Sequence, residues 1–99
     1  MARKKEKFSR YDAAEYLKTE EDIAAYLEAV IEEAGDDVSL IAIALGNIAR
    51  ARGMTQLAEA AGMTREGLYK ALSETGNPSF ATVLKVTRAL GLKLVPQAA

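Results

Sequence analysis

The sequence has no cysteine and no histidine. Without thiols it can form no disulfide framework, no thiolate metal site and no cysteine nucleophile, which suits a reducing compartment. Without imidazole it lacks the commonest general base and the commonest metal ligand, so carboxylates and lysines are the only realistic catalytic groups. No glycine-rich phosphate cradle appears either, and an enzyme is not expected. Aromatic residues make up only 6% of the chain. An RNA-binding module would need an exposed aromatic platform, and only Tyr69 is well placed to serve in one. No stretch approaches the roughly 20 apolar residues of a membrane span, and no apolar run of signal-peptide length follows the basic start. A soluble, cytoplasmic protein with no cofactor and no metal is expected.

What is present points to a packed helical core. At 99 residues the chain makes one small domain, near the lower end of what one core stabilises alone, so dimerisation is a natural source of further burial. Apolar residues reach 49%, with alanine and leucine prominent and few β-branched runs, which favours an all-α fold. The net charge of −1 conceals a segregation along the chain. Residues 1–7 carry four basic and one acidic side chain, net +3; residues 8–47 carry two and ten, net −8; residues 48–99 carry seven and three, net +4. A basic arm, an acidic half and a basic half suggest two partners of opposite charge. The organisation read from this is an arm and N-terminal segment over 1–18, one helical domain over 19–95 (an acidic part over 19–47 and a second part over 50–80) and a tail over 96–99.

Five helices are predicted. The first spans Glu20 to Ala34, with Thr19 as N-cap, Asp22 as the capping-box acid and Gly35 past its end. Ile23, Leu27, Val30, Ile31 and Ala34 recur at helical spacing and mark its buried face. Phe8 to Lys18 has an irregular pattern compatible with a short helix or an extended segment. Asp36-Asp37 opens a second helix running to about Arg52, with acids and arginines placed to suit the helix dipole. It is apolar on nearly all sides from Leu40 to Ile48 and therefore central. Three shorter helices follow: Gln56 to Ala61 capped by Thr55, Arg65 to Ser73 capped by Thr64, and Phe80 to Leu90 capped by Ser79 with Val83, Leu84, Thr87 and Leu90 inward. Leu92 to Pro96 alternates apolar and polar residues like a short strand.

The segment Thr55 to Leu72, two short helices about a glycine turn, has the layout of a helix-turn-helix. Ala58 is small for a close helix crossing, Gly62 can leave the first helix with positive φ, and Met63, Leu68 and Leu72 anchor the second helix. Thr64, Arg65, Glu66, Tyr69 and Lys70 then remain exposed at the end such motifs insert into the major groove of duplex DNA. Arg65 can pair with a guanine edge and Glu66 can accept from a cytosine amino group, with Thr64 and Gln56 as further base contacts and Tyr69 between base and phosphate. Lys70, Arg50, Arg52 and Asn77 are placed to hold phosphates. Gly67, inside the second helix, implies a close approach, either of DNA or of a packing neighbour. The competing reading of the segment is an ordinary αα-hairpin with a solvated charged face.

From about Arg52 to Leu94 the chain resembles the Xre (phage-repressor-like) helix-turn-helix family, through Leu57-Ala58, Gly62-Met63-Thr64-Arg65, Asn77-Pro78-Ser79 and Ala89-Leu90-Gly91. The family pattern has two more residues between the capping Thr and the Leu-Ala pair, so the first motif helix is shortened here. Over nearly its whole length the chain resembles the HigA-like addiction-module antidotes. That likeness rests on Tyr11-Asp12, Ala14 to Leu17, Glu20 to Leu27, Ala51 to Gln56, Leu68 to Leu72 and Gly76-Asn77-Pro78. It implies an antitoxin that neutralises a small RelE-like ribonuclease toxin and, with it, represses their shared operon.

The charge map agrees with that implication, because a ribonuclease that grips RNA is basic. Tyr11, Asp12, Tyr16, Glu20, Glu21 and Asp22 are the expected toxin contacts, against the plain alternative of a solvated acidic face. Glu32, Glu33, Asp36 and Asp37 lack EF-hand-like spacing for a divalent cation. Arg3, Lys4, Lys5 and Lys7 form either a DNA-contacting arm or a disordered tail. Val86, Leu92, Leu94 and Val95 exceed what one small core needs and are expected at a homodimer interface. A dimer would read an inverted-repeat operator. The rival function is a stand-alone phage-like repressor without a toxin partner, for which residues 1–35 would be dispensable.

Overall fold

The computed structural model describes residues 17–73 and 77–99. These form five helices, α1 Glu20–Ala34, α2 Val38–Arg52, α3 Met54–Ala60, α4 Arg65–Ala71 and α5 Phe80–Ala89, and among the described residues no strand, as the all-α reading requires. The segment Phe8 to Lys18 lies outside them up to residue 16.

α1 starts where the local chemistry demands. The Thr19 hydroxyl accepts from the Asp22 N–H at 3.1 Å, and the Asp22 carboxylate accepts in return from the Thr19 N–H at 3.2 Å, a complete capping box. The helix buries Ile23, Tyr26, Leu27 and Val30. Tyr26 thus joins the expected face, whereas Ile31, in the last turn beyond the packed stretch, is 44% exposed.

Asp37 is the cap of α2 and not part of it, accepting from both the N–H and the hydroxyl of Ser39, at 3.1 and 2.6 Å. From Ala42 onward α2 is central: Ala42 and Ala44 to Ala49 are buried, and the helix packs on α1 and α3. Its first turn is not, since Val38 and Leu40 stand out to solvent. Asn47 is the polar residue in the buried stretch, and its side-chain amide donates to the Tyr26 hydroxyl at 3.2 Å, tying α2 to α1. Such a group left unsatisfied would cost about 1–3 kcal/mol.

α3 begins one residue before the expected Thr55 cap. Gly53, at φ +105°, closes α2 by donating to the Ala49 carbonyl (2.8 Å) and opens α3 by accepting from the Leu57 N–H (3.0 Å). One residue serves both helix ends, so Thr55 falls inside the first turn and caps nothing. α3 leaves through Gly62 at φ +70°, where the Gly62 N–H reaches Glu59 O at 3.1 Å and the Met63 N–H reaches Ala58 O at 2.8 Å. These are the paired bonds of a Schellman turn, which only a left-handed residue such as glycine closes without strain.

α5 is capped by Ser79, whose hydroxyl accepts from the Thr82 N–H at 3.1 Å. It buries Val86, Thr87 and Leu90, while Val83 and Leu84 are half-buried. The Thr87 hydroxyl is satisfied within the helix by the Val83 and Leu84 carbonyls. Val86 is fully buried in the core of the single chain. The expectation that it belongs to a dimer interface is therefore corrected: the spacing that lines up Val83, Val86, Thr87 and Leu90 puts Val86 on the inner stripe. Residues 92–99 form no strand, because the alternating Leu92 to Pro96 segment has no described strand beside it with which to pair.

Candidate nucleic-acid interface

α3, the Gly62 turn and α4 form the compact corner of the molecule. α3 packs against α4 and also against α2 and α5, so α4 is held from below by a braced platform. Leu68 and Leu72 are the anchors on α4, at 0% and 2% exposure, with Ala58 buried opposite and Met63 packed at the edge. Truncating a leucine as buried as Leu68 costs about 2–5 kcal/mol, a large share of a small domain's stability.

α4 opens with Thr64, whose hydroxyl accepts from the Gly67 N–H at 2.9 Å. The same contact accounts for Gly67: a Cβ there would lie 2.8 Å from the Thr64 hydroxyl oxygen. Of the two sequence-level explanations for this glycine, a packing neighbour is the one present, and the neighbour is the helix's own cap.

With Leu68 turned inward, Thr64, Arg65, Glu66, Tyr69 and Lys70 are all exposed along the outer side of α4. They offer a hydroxyl, a guanidinium fork, a carboxylate, a phenol and an ammonium on about one and a half helical turns. Gln56 is exposed in the first turn of α3, its amide oxygen folded back to 3.3 Å from where a Cβ of Gly53 would stand. Asn77 is exposed ahead of α5.

Two arginines at the end of α2 behave differently from one another. The Arg50 guanidinium carbon stands 5.5 Å from the centroid of the Tyr69 ring, a cation–π contact that joins α2 to the outer face of α4. Arg52, by contrast, lies 4.0 Å from Glu20 at the start of α1. One residue expected at DNA and one expected at a toxin are thus ion-paired in the free chain. Asp22 is engaged in the α1 cap, Glu21 is exposed, and Tyr11, Asp12, Tyr16 and the basic arm fall outside the described residues. Leu92 packs against the core, while Leu94 and Val95 are exposed.

Gly46 is the site-building residue that sequence reasoning passed over. A Cβ at Gly46 would meet the Leu72 carbonyl oxygen at 2.7 Å, so the last turn of α4 rests directly on the backbone of α2. An isolated glycine in a helix otherwise rich in alanine and isoleucine was the available signal.

Among the described residues no helix is long and apolar enough to cross a membrane, and no three acidic side chains converge in a metal-sized cluster. No solved structure matches the chain at a significant level. An uncharacterized protein of Haemophilus influenzae is 54% identical over 92 residues, covering 93% of each chain. Residues 7–98 match the family described as probable addiction module antidote protein, and on that near-complete match the chain belongs to the addiction-module antidote family.

Proposed function

We propose that this protein is a HigA-like antitoxin with an Xre-type helix-turn-helix: it binds operator DNA through α4, neutralises a RelE-like ribonuclease toxin, and with that toxin represses their shared operon. The observation that carries the DNA half is the Thr64-capped α4, seated by Leu68 and Leu72 with Arg65, Glu66, Tyr69 and Lys70 outward. Arg65 and Glu66, in the first turn, read bases; Lys70 and Asn77 hold phosphates; Arg50 acts beside Tyr69. The toxin half is supported by the family and by the acidic stretch over 8–47, which complements the basic surface a ribonuclease needs. Glu20 and Glu21, with Tyr11, Asp12 and Tyr16 from the preceding segment, contact the toxin. Leu94 and Val95, exposed past α5, pair two copies and set two α4 helices about 34 Å apart on an inverted repeat.

Growth rescue tests this reading. The adjoining small reading frame is expressed from an inducible promoter, alone, with the full chain, or with a fragment starting near Leu40. Arrest that the full chain relieves supports the antitoxin; failure of the fragment shows that the residues before 40, which give Ile23, Tyr26, Leu27 and Val30 to the core, are needed. A harmless neighbour leaves a stand-alone repressor.

A further inference from the structure

Arg50 is enclosed in a way that the cations of the outer face are not. It is half-buried, while Arg65 and Lys70 are exposed. Its guanidinium carbon stands 5.5 Å from the centroid of the Tyr69 ring, and its Nη1 lies 3.3 Å from where a Cβ of Gly46 would be. Gly46 is one helical turn earlier in α2, so the side chain folds back along its own helix into the room left by the missing Cβ. The Leu72 carbonyl oxygen is 2.7 Å from the same point. The guanidinium is therefore seated beside the closing turn of α4, between the backbone of α2 and the ring of Tyr69.

That seat suits an arginine. The C-terminal end of a helix favours a cation, and a planar guanidinium can lie along an aromatic ring where a compact ammonium cannot. Exclusion of water strengthens the attraction to the ring. Tyr69 needs such a neighbour. The adjoining Leu68 is fully buried and fixes the backbone, but Tyr69 itself is 53% exposed, so burial alone does not set the direction of its ring. Arg50 does. To reach a phosphate, the guanidinium would have to leave this position and release the ring.

We propose that Arg50 is a positioning residue for sequence recognition. It acts through Tyr69 and the end of α4, holding the ring in the direction in which α4 presents it, and it neutralises no phosphate itself. The inference rests on the helix-turn-helix reading above and deepens it: the reading surface includes a residue of α2 that never touches DNA. Arg50 then contributes to the difference between sequences and not to the charge neutralised on binding.

The test is the binding of the full-length chain to two labelled duplexes over a salt series, one from the region upstream of its own reading frame and one scrambled. Arg50→Gln and Arg50→Lys are measured alone and in the Tyr69→Ala background, at a temperature where circular dichroism shows each variant fully helical. Both should lower the ratio of upstream to scrambled affinity by about two- to fivefold, the equivalent of the ring contact. Neither should bring the fall of about 0.9 in the slope of log K against log salt that a lost phosphate contact causes. With Tyr69→Ala in place, neither should lower the ratio further. Lysine does not rescue, because it keeps the charge without the plane. An arginine of structural importance alone would shift Tm and leave the ratio where it was, so an unchanged ratio in both variants overturns the assignment. So does a reduced slope in Arg50→Gln, with both duplexes weakened alike and Arg50→Lys restoring them, since Arg50 then holds a phosphate. A wild-type chain that binds neither duplex, or both alike, overturns the helix-turn-helix reading and the assignment with it.

Discussion

The backbone of Gly46, in the middle of α2, lies against the carbonyl of Leu72 at the end of α4 so closely that a methyl group at position 46 would stand 2.7 Å from that oxygen. The contact fixes the depth and tilt of the outer helix against the central one, and neither partner can yield cheaply: one is backbone, the other a mid-helix position whose neighbours Leu45 and Asn47 are buried.

Gly46→Ala should therefore lower stability, even though alanine is intrinsically the better helix former by about 1 kcal/mol. Forcing a methyl into a filled site costs about 1–3 kcal/mol. Thermal denaturation should show a net drop in Tm, and a rise would mean that α4 is not seated as described.

Thr64 and Gly67 form a second coupled pair, testable by a double-mutant cycle. Thr64→Ala removes the cap hydrogen bond and should cost about 1 kcal/mol. Gly67→Ala on its own should change little, because the helix-propensity gain is offset by the crowding against the Thr64 hydroxyl. In the Thr64→Ala background that crowding is gone, and the same substitution should stabilise by up to about 1 kcal/mol. Additive behaviour in urea titrations would show that the two positions do not interact.

How much of this was legible in the sequence depended on the range of the interaction. The start of α1 at Glu20 was, because Thr19 and Asp22 settle it between them within four residues. Thr64, Gly62 and Ser79 likewise punctuate the chain where expected, and the exposed set on α4 follows from Leu68 and Leu72 facing inward. The start of α3 was misjudged because Gly53 performs two tasks that sequence rules assign to two residues. Ile31 and Leu40 were misjudged because periodicity marks an apolar face without saying how far along it a neighbour reaches; Val86, three residues after Val83 and four before Leu90, was misjudged although the helical spacing already put it on the inner stripe. The contacts Gly46 to Leu72, Arg50 to Tyr69 and Arg52 to Glu20 join residues far apart in the chain, and only the packing of α2 against its neighbours creates them.

The Arg50–Tyr69 contact predicts a coupling energy of about 0.5–1 kcal/mol, the range for a cation over a partly exposed ring. Tyr69→Phe should preserve it, since the ring face is retained, whereas Tyr69→Ala and Arg50→Ala should each abolish it. If the phenol itself touches DNA, Tyr69→Phe will weaken operator binding without altering Tm, which separates the structural part of this residue from its contact.

Glu20 and Arg52 set the two proposed surfaces against each other. Their 4.0 Å ion pair is solvent-accessible, so its effect on stability should be below about 1 kcal/mol. Its effect on binding should be visible all the same, because a paired guanidinium is less available to a phosphate. Glu20→Gln should tighten operator binding by a few-fold at low salt and weaken toxin binding, while Arg52→Gln should do the first in reverse. Opposite movements of DNA and toxin affinity in Glu20→Gln are the signature; a variant that alters neither removes both residues from the interfaces.

Salt dependence separates the remaining assignments on α4. A lysine that neutralises one phosphate releases about one counterion, so Lys70→Ala should reduce the slope of log K against log salt by about 0.9 and weaken binding alike on all sequences. Arg65→Ala should instead cost about 1–3 kcal/mol on the cognate operator and little on unrelated DNA, because a bidentate base contact distinguishes sequences. The expectation follows from position: Arg65 is the first residue of α4, beside the capped end that points outward, whereas Lys70 lies near its last turn, on the same exposed side as Tyr69. Fluorescence anisotropy over a salt series with cognate and scrambled duplexes reads both quantities at once. If the two variants lose affinity in parallel on both duplexes, α4 meets the backbone alone and base reading must be sought at Gln56 or in the arm.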